Sequence, residues 1–142
     1  MTFPIVIHHN TDCGTSRNVL AIIRAAAYES TVIEYLVEGW TRPQLLALFA
    51  AANITPQQAL RIVRSPAEEM GLTAPGVGED QLLDAMVAHP ILVNRPIVCT
   101  PKGVCLCRPS EVVLDLLERL PPGPFAKEDG ELIIDAKGNR LV

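Results

Sequence analysis

The residue best suited to do chemistry in this sequence is Cys13, which lies in a polar, glycine-bearing stretch near the start of the chain. An apolar run at residues 4–7 precedes this stretch, and an apolar stripe with helical spacing follows it at residues 19–26. These patterns predict that Cys13 lies in a loop directly before the N-terminus of a helix. Unpaired backbone N–H groups and the helix dipole at such a position favour a thiolate over a thiol.

The same backbone amides are suited to hold a tetrahedral oxyanion, because helix N-termini commonly bind anions. Gly14 has no side chain and allows the backbone to approach such an anion closely. We expect the anion to be bound by Gly14, Thr15, Ser16 and Arg17, and we expect Thr15 or Ser16 to cap the helix. Arg17, or another arginine nearby, should lower the pKa of the Cys13 thiol further.

The polar residues on the other side of Cys13 could tune its thiolate. His9 and Asn10 stand where the first predicted strand ends, although a histidine at a strand end is as often merely packed or solvated. Asp12 places a negative charge directly beside Cys13. This charge is expected to raise the pKa of the thiol or to weaken anion binding.

Arginines from elsewhere in the chain are candidates to complete the anion site. Arg95 lies between Asn94 and Pro96 just ahead of a predicted strand, where we expect a cation to meet an anion. Arg108 precedes a predicted helix, and anion binding and simple solvation remain equally open for it. Arg61 and Arg64 belong to a helical stretch, in which an exposed arginine without a specific partner is the ordinary expectation.

The chain has four cysteines, of which Cys13 is the candidate nucleophile. Ser16 stands where a C-x-x-C enzyme keeps its second thiol, so any resolving thiol must come from elsewhere in the chain or from another molecule. Cys99, Cys105 and Cys107 fall on short predicted strands, where reduced cysteine behaves as a small buried hydrophobe. Alternation places the last two on one face and leaves open a metal pair with Cys13, but we expect no metal.

The elements that position these residues are predicted as α/β. A strand at residues 4–7, a helix and a strand at residues 32–36 form a βαβ unit with parallel pairing. Two capping-box patterns, Thr41 with Gln44 and Thr55 with Gln58, begin a series of helices over residues 41–89.

Strands at residues 97–100 and 104–107 then form an antiparallel hairpin, and a long helix from residue 109 to 120 precedes a polar tail. This order of elements is that of a thioredoxin-like mixed sheet with a helical subdomain inserted after the second strand.

The composition limits the number of domains and the classes of partner. A chain of 142 residues, 49% of them hydrophobic, supports a single domain over residues 1–142. A net charge of -4 argues against binding nucleic acid or an anionic membrane. Because the sequence shows no membrane-spanning apolar run and no signal peptide, we expect a cytoplasmic protein.

Three separated motifs resemble the glutaredoxin-linked, glutathione-dependent arsenate reductases. They are H-N-x-x-C-G-T-S-R at residues 9–17, H-P-I-L-V-N-R-P-I-V at residues 89–98 and L-C-R-P-S-E-V-V-L-D-L-L at residues 106–117. The similarity extends from the first strand to the K-E-D-G stretch at residues 127–130. The sequence departs from the usual loop at Thr11-Asp12, where a proline and a small residue are common in that family.

This resemblance implies an enzyme that reduces arsenate to arsenite for detoxification, with Cys13 as nucleophile and Arg61, Arg95 and Arg108 around the oxyanion. It implies glutathione as co-substrate, a glutaredoxin that reduces the resulting mixed disulfide, and no bound cofactor. It also implies a cis peptide bond between Arg95 and Pro96, which a proline permits.

Three alternatives remain open on the sequence. A glutathione-dependent thiol reductase would keep the Cys13 chemistry without acting on arsenate. A non-enzymatic regulatory protein on the same fold would use its arginines to bind an acidic partner, although related regulators usually carry a C-x-x-C switch. In the third alternative, Cys99, Cys105 or Cys107 resolves the Cys13 adduct internally and thioredoxin replaces glutathione.

Overall fold

The cysteine loop is carried by a four-stranded mixed sheet in the computed structural model, which describes residues 2–142. The strand order is β2-β1-β3-β4, and the strands are β1 (Val6–His9), β2 (Thr31–Glu34), β3 (Ile97–Thr100) and β4 (Gly103–Leu106). β1 pairs in parallel with β2, whereas β1 with β3 and β3 with β4 pair antiparallel. The predicted mixed thioredoxin-like sheet is therefore confirmed.

Helix α1 (Gly14–Ala25) connects β1 to β2, as a parallel pair requires. Its predicted apolar stripe is buried, and Val19, Ile22 and Ile23 have no exposed surface. These side chains share one core with Ile7 of β1 and Val98 of β3. Burial of this face holds the start of α1, and with it Cys13, against the sheet.

The predicted long helix at residues 109–120 is wrong in type and length. The segment forms a seven-residue 3₁₀ helix, Ser110–Leu116. The carbonyl of Leu116 accepts a hydrogen bond from Thr100 Oγ1 at 2.7 Å, and the Tyr28 hydroxyl accepts the backbone N–H groups of Glu118 and Arg119, both at 3.1 Å. These tertiary hydrogen bonds occupy backbone groups that a longer helix would use itself.

The predicted polar tail contains a second, two-stranded sheet formed by β5 (Phe125–Ala126) and β6 (Leu132–Ile134). Ile133 and Ile134 are fully buried in the core that also holds α1. Lys127 lies in the connection between the strands, and its Nζ is 2.6 Å from Glu111 Oε2 at the start of the 3₁₀ helix. The tail is therefore an integral part of this core.

The residues up to Glu34 and Arg95–Val142 form one compact unit, and Tyr35–Asn94 forms the other. The second unit contains the predicted helices, which are α3 (Arg42–Ala52), α4 (Pro56–Ala59) and α5 (Glu79–Ala88). It also contains two helices that were not predicted, α2 (Tyr35–Glu38), which begins within the predicted second strand, and the 3₁₀ helix Pro90–Leu92. Its bounds exceed the predicted insertion at residues 41–89, and β2 ends at Glu34, before the predicted residue 36. The prediction of a single domain stays a prediction.

Both capping boxes of the second unit are confirmed. The Thr41 side chain accepts from the Gln44 backbone and the Thr55 side chain accepts from the Gln58 backbone. α4 nevertheless ends after one turn, because the chain that follows it pairs elsewhere. The N–H of Arg61 donates to the carbonyl of Leu92 at 2.8 Å, beside a bridge between Leu60 and Val93.

Candidate active site

Cys13 is the N-cap residue of α1 and lies in extended backbone, with φ -102° and ψ 122°. Its carbonyl accepts the N–H of Arg17 at 2.9 Å, and its own N–H donates to the carbonyl of Asn10 at 3.1 Å. The expectation that Thr15 or Ser16 caps the helix is wrong, because Cys13 is the N-cap residue and neither hydroxyl caps the helix. The backbone N–H of Ser16 in the first turn faces the sulfur of Cys13, and the N-terminal amides of α1 are placed to bind an anion.

The cysteine loop is held by a chain of buried polar groups. Asn10 Oδ1 accepts the N–H of Asp12 at 2.9 Å, and the N–H of Asn10 donates to Ser16 Oγ at 3.1 Å. Ser16 Oγ also lies 2.7 Å from His9 Nδ1. The hydroxyl accepts from Asn10 and has one proton, which it can donate to Nδ1 of a neutral His9 that has its own proton on Nε2.

His9 contacts Ser16 and not the sulfur of Cys13, so it acts on the thiolate through the loop. Burial lowers the pKa of His9, the charge of Glu34 raises it, and the charges of Arg24 and Arg17 lower it again; the net shift is downward. A neutral imidazole near pH 7 fits the acceptor role of Nδ1 toward Ser16.

Two arginines distant in sequence meet at Cys13. Arg108 Nη1 lies 3.6 Å from Cys13 Sγ and donates to the backbone carbonyl of Arg95 at 3.1 Å. The side chain of Arg95 is buried and also hydrogen-bonds the thiolate. The Arg95-Pro96 peptide bond is cis, as predicted, and Arg108-Pro109 is cis as well.

The net effect of these surroundings is a lowered pKa for the Cys13 thiol. Burial of the sulfur, which leaves the residue 6% exposed, raises the pKa. The Ser16 backbone hydrogen bond, the charge of Arg95 and hydrogen bonds from Arg108 and Arg95 together lower it by more. At a given pH the thiolate fraction of Cys13 is therefore higher than that of an ordinary cysteine, and the thiolate is the nucleophilic form of cysteine.

The pKa values of the other three thiols are shifted in the opposite direction from that of Cys13. Burial raises the pKa of Cys99, Cys105 and Cys107, and Cys107 has no exposed surface. All four cysteines, including Cys13, are free thiols. Within residues 2–142 no group of three or more His, Cys, Asp or Glu side chains is arranged to hold a metal ion.

The side chain of Arg17 contacts the C-terminal part of the chain. Its Nε and Nη2 donate to the two carboxylate oxygens of Glu128 at 2.8 and 3.1 Å, and its Nη1 donates to the carbonyl of Thr11 at 2.9 Å. The largest contributions of arginines to the lowered pKa of Cys13 come from Arg95 and Arg108, and the charge of the Cys13 thiolate also raises the pKa of Arg17. The sequence contained no local signal for the partnership with Glu128, which lies 111 residues away.

Gly14 and Asp12 are the two remaining residues of the loop, and the binding of an anion by Gly14 stays a prediction. A Cβ atom built on Gly14 would lie 3.7 Å from Arg17 Nη2 and 3.8 Å from Glu128 Oε1, which are ordinary contacts. The chain itself therefore leaves room for a side chain at this position. Asp12 is exposed, and its charge raises the pKa of Arg17 but is not one of the largest contributions to the pKa of Cys13.

Arg61 belongs to the second compact unit and is only 7% exposed. Its Nε donates to the carbonyl of Val63 at 2.9 Å, and its own carbonyl accepts from Ser65 Oγ at 2.5 Å. Arg64, the other arginine of this stretch, is exposed. Burial thus distinguishes Arg61 from an ordinary solvated arginine, while its part in binding an anion stays a prediction.

No helix within residues 2–142 is long and apolar enough to cross a membrane.

Comparison with known proteins identifies close relatives. The sequence model of the ArsC family matches residues 8–116. Arsenate reductase ArsI2 of Synechocystis sp. is 70% identical over 137 residues, which cover 96% of this chain and 98% of the relative. The arsenate reductase of Escherichia coli strain K12 is 50% identical, with 96% and 97% covered. The solved structure of an arsenate reductase from Vibrio cholerae superposes with a TM-score of 0.78 at 30% identity, covering 82% of this chain and all of that one.

Proposed function

The chain belongs to the ArsC family, and we propose that it reduces arsenate through the thiolate of Cys13, with glutathione and a glutaredoxin as the source of electrons. Relatives with the same activity match nearly its whole length, so the chain is an arsenate reductase, an oxidoreductase that serves arsenic detoxification. The assignment of roles to residues rests on one observation above all: Cys13 has a lowered pKa and lies 3.6 Å from the guanidinium of Arg108.

In the first step, the Cys13 thiolate attacks the arsenic atom of arsenate. A sulfur–arsenic bond forms, and one arsenate oxygen leaves as water after protonation. The N–H groups at the start of α1 and the side chains of Arg95 and Arg108 balance the charge of the oxyanion. From the family's pattern of three arginines, we propose Arg61 as the third. These groups are suited to the task because charge-assisted hydrogen bonds to an oxyanion are strong.

In the second step, the sulfur of glutathione attacks the sulfur of Cys13. A disulfide bond forms as the sulfur–arsenic bond breaks, and the bonding pair stays on arsenic. Arsenic(V) is thereby reduced to arsenic(III), which leaves as arsenite, while two thiols are oxidised to one mixed disulfide. A thiolate of glutaredoxin then attacks the glutathione sulfur and returns the Cys13 thiolate.

The surroundings of the other three cysteines favour an external thiol as the group that attacks the Cys13 adduct. Burial raises the pKa of Cys99, Cys105 and Cys107, so little of any of them is thiolate at neutral pH. This chemistry requires no bound cofactor in the protein. It also requires reduced thiols, and we therefore propose that the protein works in the cytoplasm.

The source of electrons is tested with a variant in which Cys99, Cys105 and Cys107 are all replaced by serine. We expect this variant to form arsenite from arsenate with glutathione and glutaredoxin at a rate near that of the wild type. A folded variant that loses turnover would show that one of these thiols resolves the adduct. Wild-type turnover with thioredoxin but without glutathione would contradict the proposal in the same way.

A further inference from the structure

The side chain of Glu128 ends beside the first turn of α1, next to the candidate nucleophile. Its Oε1 lies 3.8 Å from the position that a Cβ atom on Gly14 would take, and Arg17 Nη2 lies 3.7 Å from the same position. The carbonyl of Cys13 accepts the N–H of Arg17 at 2.9 Å. A carboxylate and a guanidinium therefore lie together against the residue that follows Cys13.

Arg17 has the charge and the position of an anion-binding residue. Glu128 raises the pKa of Arg17 most, through hydrogen bonds and charge, and the charge of the Cys13 thiolate raises it further. The guanidinium therefore lies within electrostatic range of the sulfur. Charge-assisted hydrogen bonds from arginine to an oxyanion are strong, so a guanidinium in this position is suited to bind the substrate.

In the structure, the guanidinium of Arg17 is occupied by two partners within the chain. Its Nε and Nη2 donate to the two carboxylate oxygens of Glu128 at 2.8 and 3.1 Å, and its Nη1 donates to the carbonyl of Thr11 at 2.9 Å. Hydrogen bonds from all three nitrogens fix the orientation of the group. The carboxylate also compensates the positive charge of Arg17.

The turn that carries Glu128 is itself fixed to the fold. The N–H of Glu128 donates to Asn18 Oδ1, on α1, at 2.9 Å. The side chain of the preceding Lys127 is only 9% exposed, and its Nζ lies 2.6 Å from Glu111 Oε2 and 3.3 Å from Glu131 Oε1. Glu128 is therefore presented to its partner by an anchored turn, and the pair loses less conformational freedom than two independent surface side chains would.

We propose that Glu128 is a positioning residue that limits the affinity of the site for tetrahedral oxyanions, because it holds Arg17 away from the bound anion. This inference rests on the anion site of the proposed function. Without Glu128, the guanidinium regains the two donors Nε and Nη2 and an uncompensated charge, one helical turn from Cys13.

A weaker anion site is useful to an enzyme that must act on arsenate in the presence of phosphate. Both are tetrahedral oxyanions with similar charge at neutral pH, so an additional arginine would bind both more tightly. Binding that is equally strong in the ground state and in the transition state lowers KM without raising kcat. Glu128 therefore reduces occupation of the site by phosphate and leaves the chemical step unchanged.

The inference is tested by the KM for arsenate and the inhibition constant of inorganic phosphate in Glu128→Gln. Both should fall about threefold to fivefold, with kcat within about twofold of the wild type, as expected for one exposed ion pair that changes its partner. A gain in affinity separates this role from a structural one, because a damaged loop would bind anions less tightly. Asp129→Asn removes the same charge from the same turn and keeps the oxygen that accepts the N–H of Glu131. It is the matched control and should keep the wild-type constants.

A double-mutant cycle shows whether Glu128 acts through Arg17. In an Arg17→Gln background, Glu128→Gln should lower both constants by less than about twofold, since only the screened charge of the carboxylate is removed. Wild-type or higher constants in Glu128→Gln would overturn the inference, and so would an equal gain in the Arg17→Gln background. Failure of the proposed function would instead appear as turnover that persists in Cys13→Ser, so the two failures are distinguishable.

Discussion

The guanidinium of Arg108 lies 3.6 Å from the sulfur of Cys13, across 95 residues of sequence. The same Nη1 atom donates to the carbonyl of Arg95, whose own charge acts on the thiolate. Both arginines precede a cis proline, and they meet at the end of the sheet where α1 begins. This arrangement couples two tasks, because the cations that stabilise the thiolate also face the place where an anionic substrate must bind.

Replacement of Arg108 by glutamine should raise the pKa of Cys13, because a hydrogen bond and a positive charge near the sulfur are lost. The rate of alkylation by iodoacetamide as a function of pH reports this pKa. Arsenate reduction should also fall, by a factor on the order of 100, as when one donor to a reacting oxyanion is removed. Arg140→Gln, at a cation that pairs with Asp115, serves as control. An unchanged alkylation profile in Arg108→Gln would contradict the assigned contact.

The lowered pKa of Cys13 also predicts how stability depends on pH. Between the lowered pKa and the ordinary cysteine value near 8.5, the unfolded chain binds more protons at this residue than the folded one. Stability relative to Cys13→Ser should therefore rise with pH through that window and be lost as pH falls through the folded pKa. Urea unfolding of both proteins at several pH values measures the difference. A constant or decreasing difference would mean that the folded state does not favour the thiolate.

Gly14→Ala should affect the KM for arsenate without lowering the free energy of unfolding. The chain has room for the added methyl group, so the free energy of unfolding should be unchanged or higher by about 0.5 kcal/mol. The KM for arsenate should nevertheless rise, because the methyl group projects from the turn whose N–H groups are assigned to the anion. Urea unfolding and steady-state kinetics measure the two effects. If KM is unaffected, Gly14 does not border the bound anion.

Ser16→Ala should lower the free energy of unfolding by about 1–3 kcal/mol. The fully buried hydroxyl bonds both the Asn10 N–H and His9 Nδ1, and its removal leaves two buried polar groups unsatisfied. Thr15→Ala, one residue earlier on the same helix, is the matched control, since its side chain makes no such pair of bonds. Equal stability of the two variants in urea would show that the Ser16 network does not hold the loop.

The position of Cys13 could be predicted from local sequence because the apolar spacing that defines α1 begins directly after it. The capping boxes at Thr41 and Thr55 were predictable for the same reason, as each lies within four consecutive residues. Local patterns could not show which side chains contact residues that are distant in the sequence. The ion pair of Arg17 with Glu128 and the contact of Arg108 with Cys13 depend on segments about a hundred residues apart.

The difference between local patterns and long-range contacts also explains why some elements were predicted wrongly. Val113, Leu116 and Leu117 are buried as their spacing predicts, yet their segment is a short 3₁₀ helix, because Thr100 and Tyr28 bond its C-terminal backbone. The role of Ser16 was also misassigned, since its hydroxyl bonds back to the loop instead of capping the helix. The apolar run at residues 132–134 after Gly130 was a local signal for β6.

The central claim is that the Cys13 thiolate is the nucleophile that reduces arsenate. The most direct test is arsenite formation from arsenate with glutathione and glutaredoxin, measured for the wild type, for Cys13→Ser and for Cys99→Ser as a matched thiol control. We predict turnover by the wild type and by Cys99→Ser, and none above background by Cys13→Ser. Turnover by a folded Cys13→Ser variant at the wild-type rate would contradict the account.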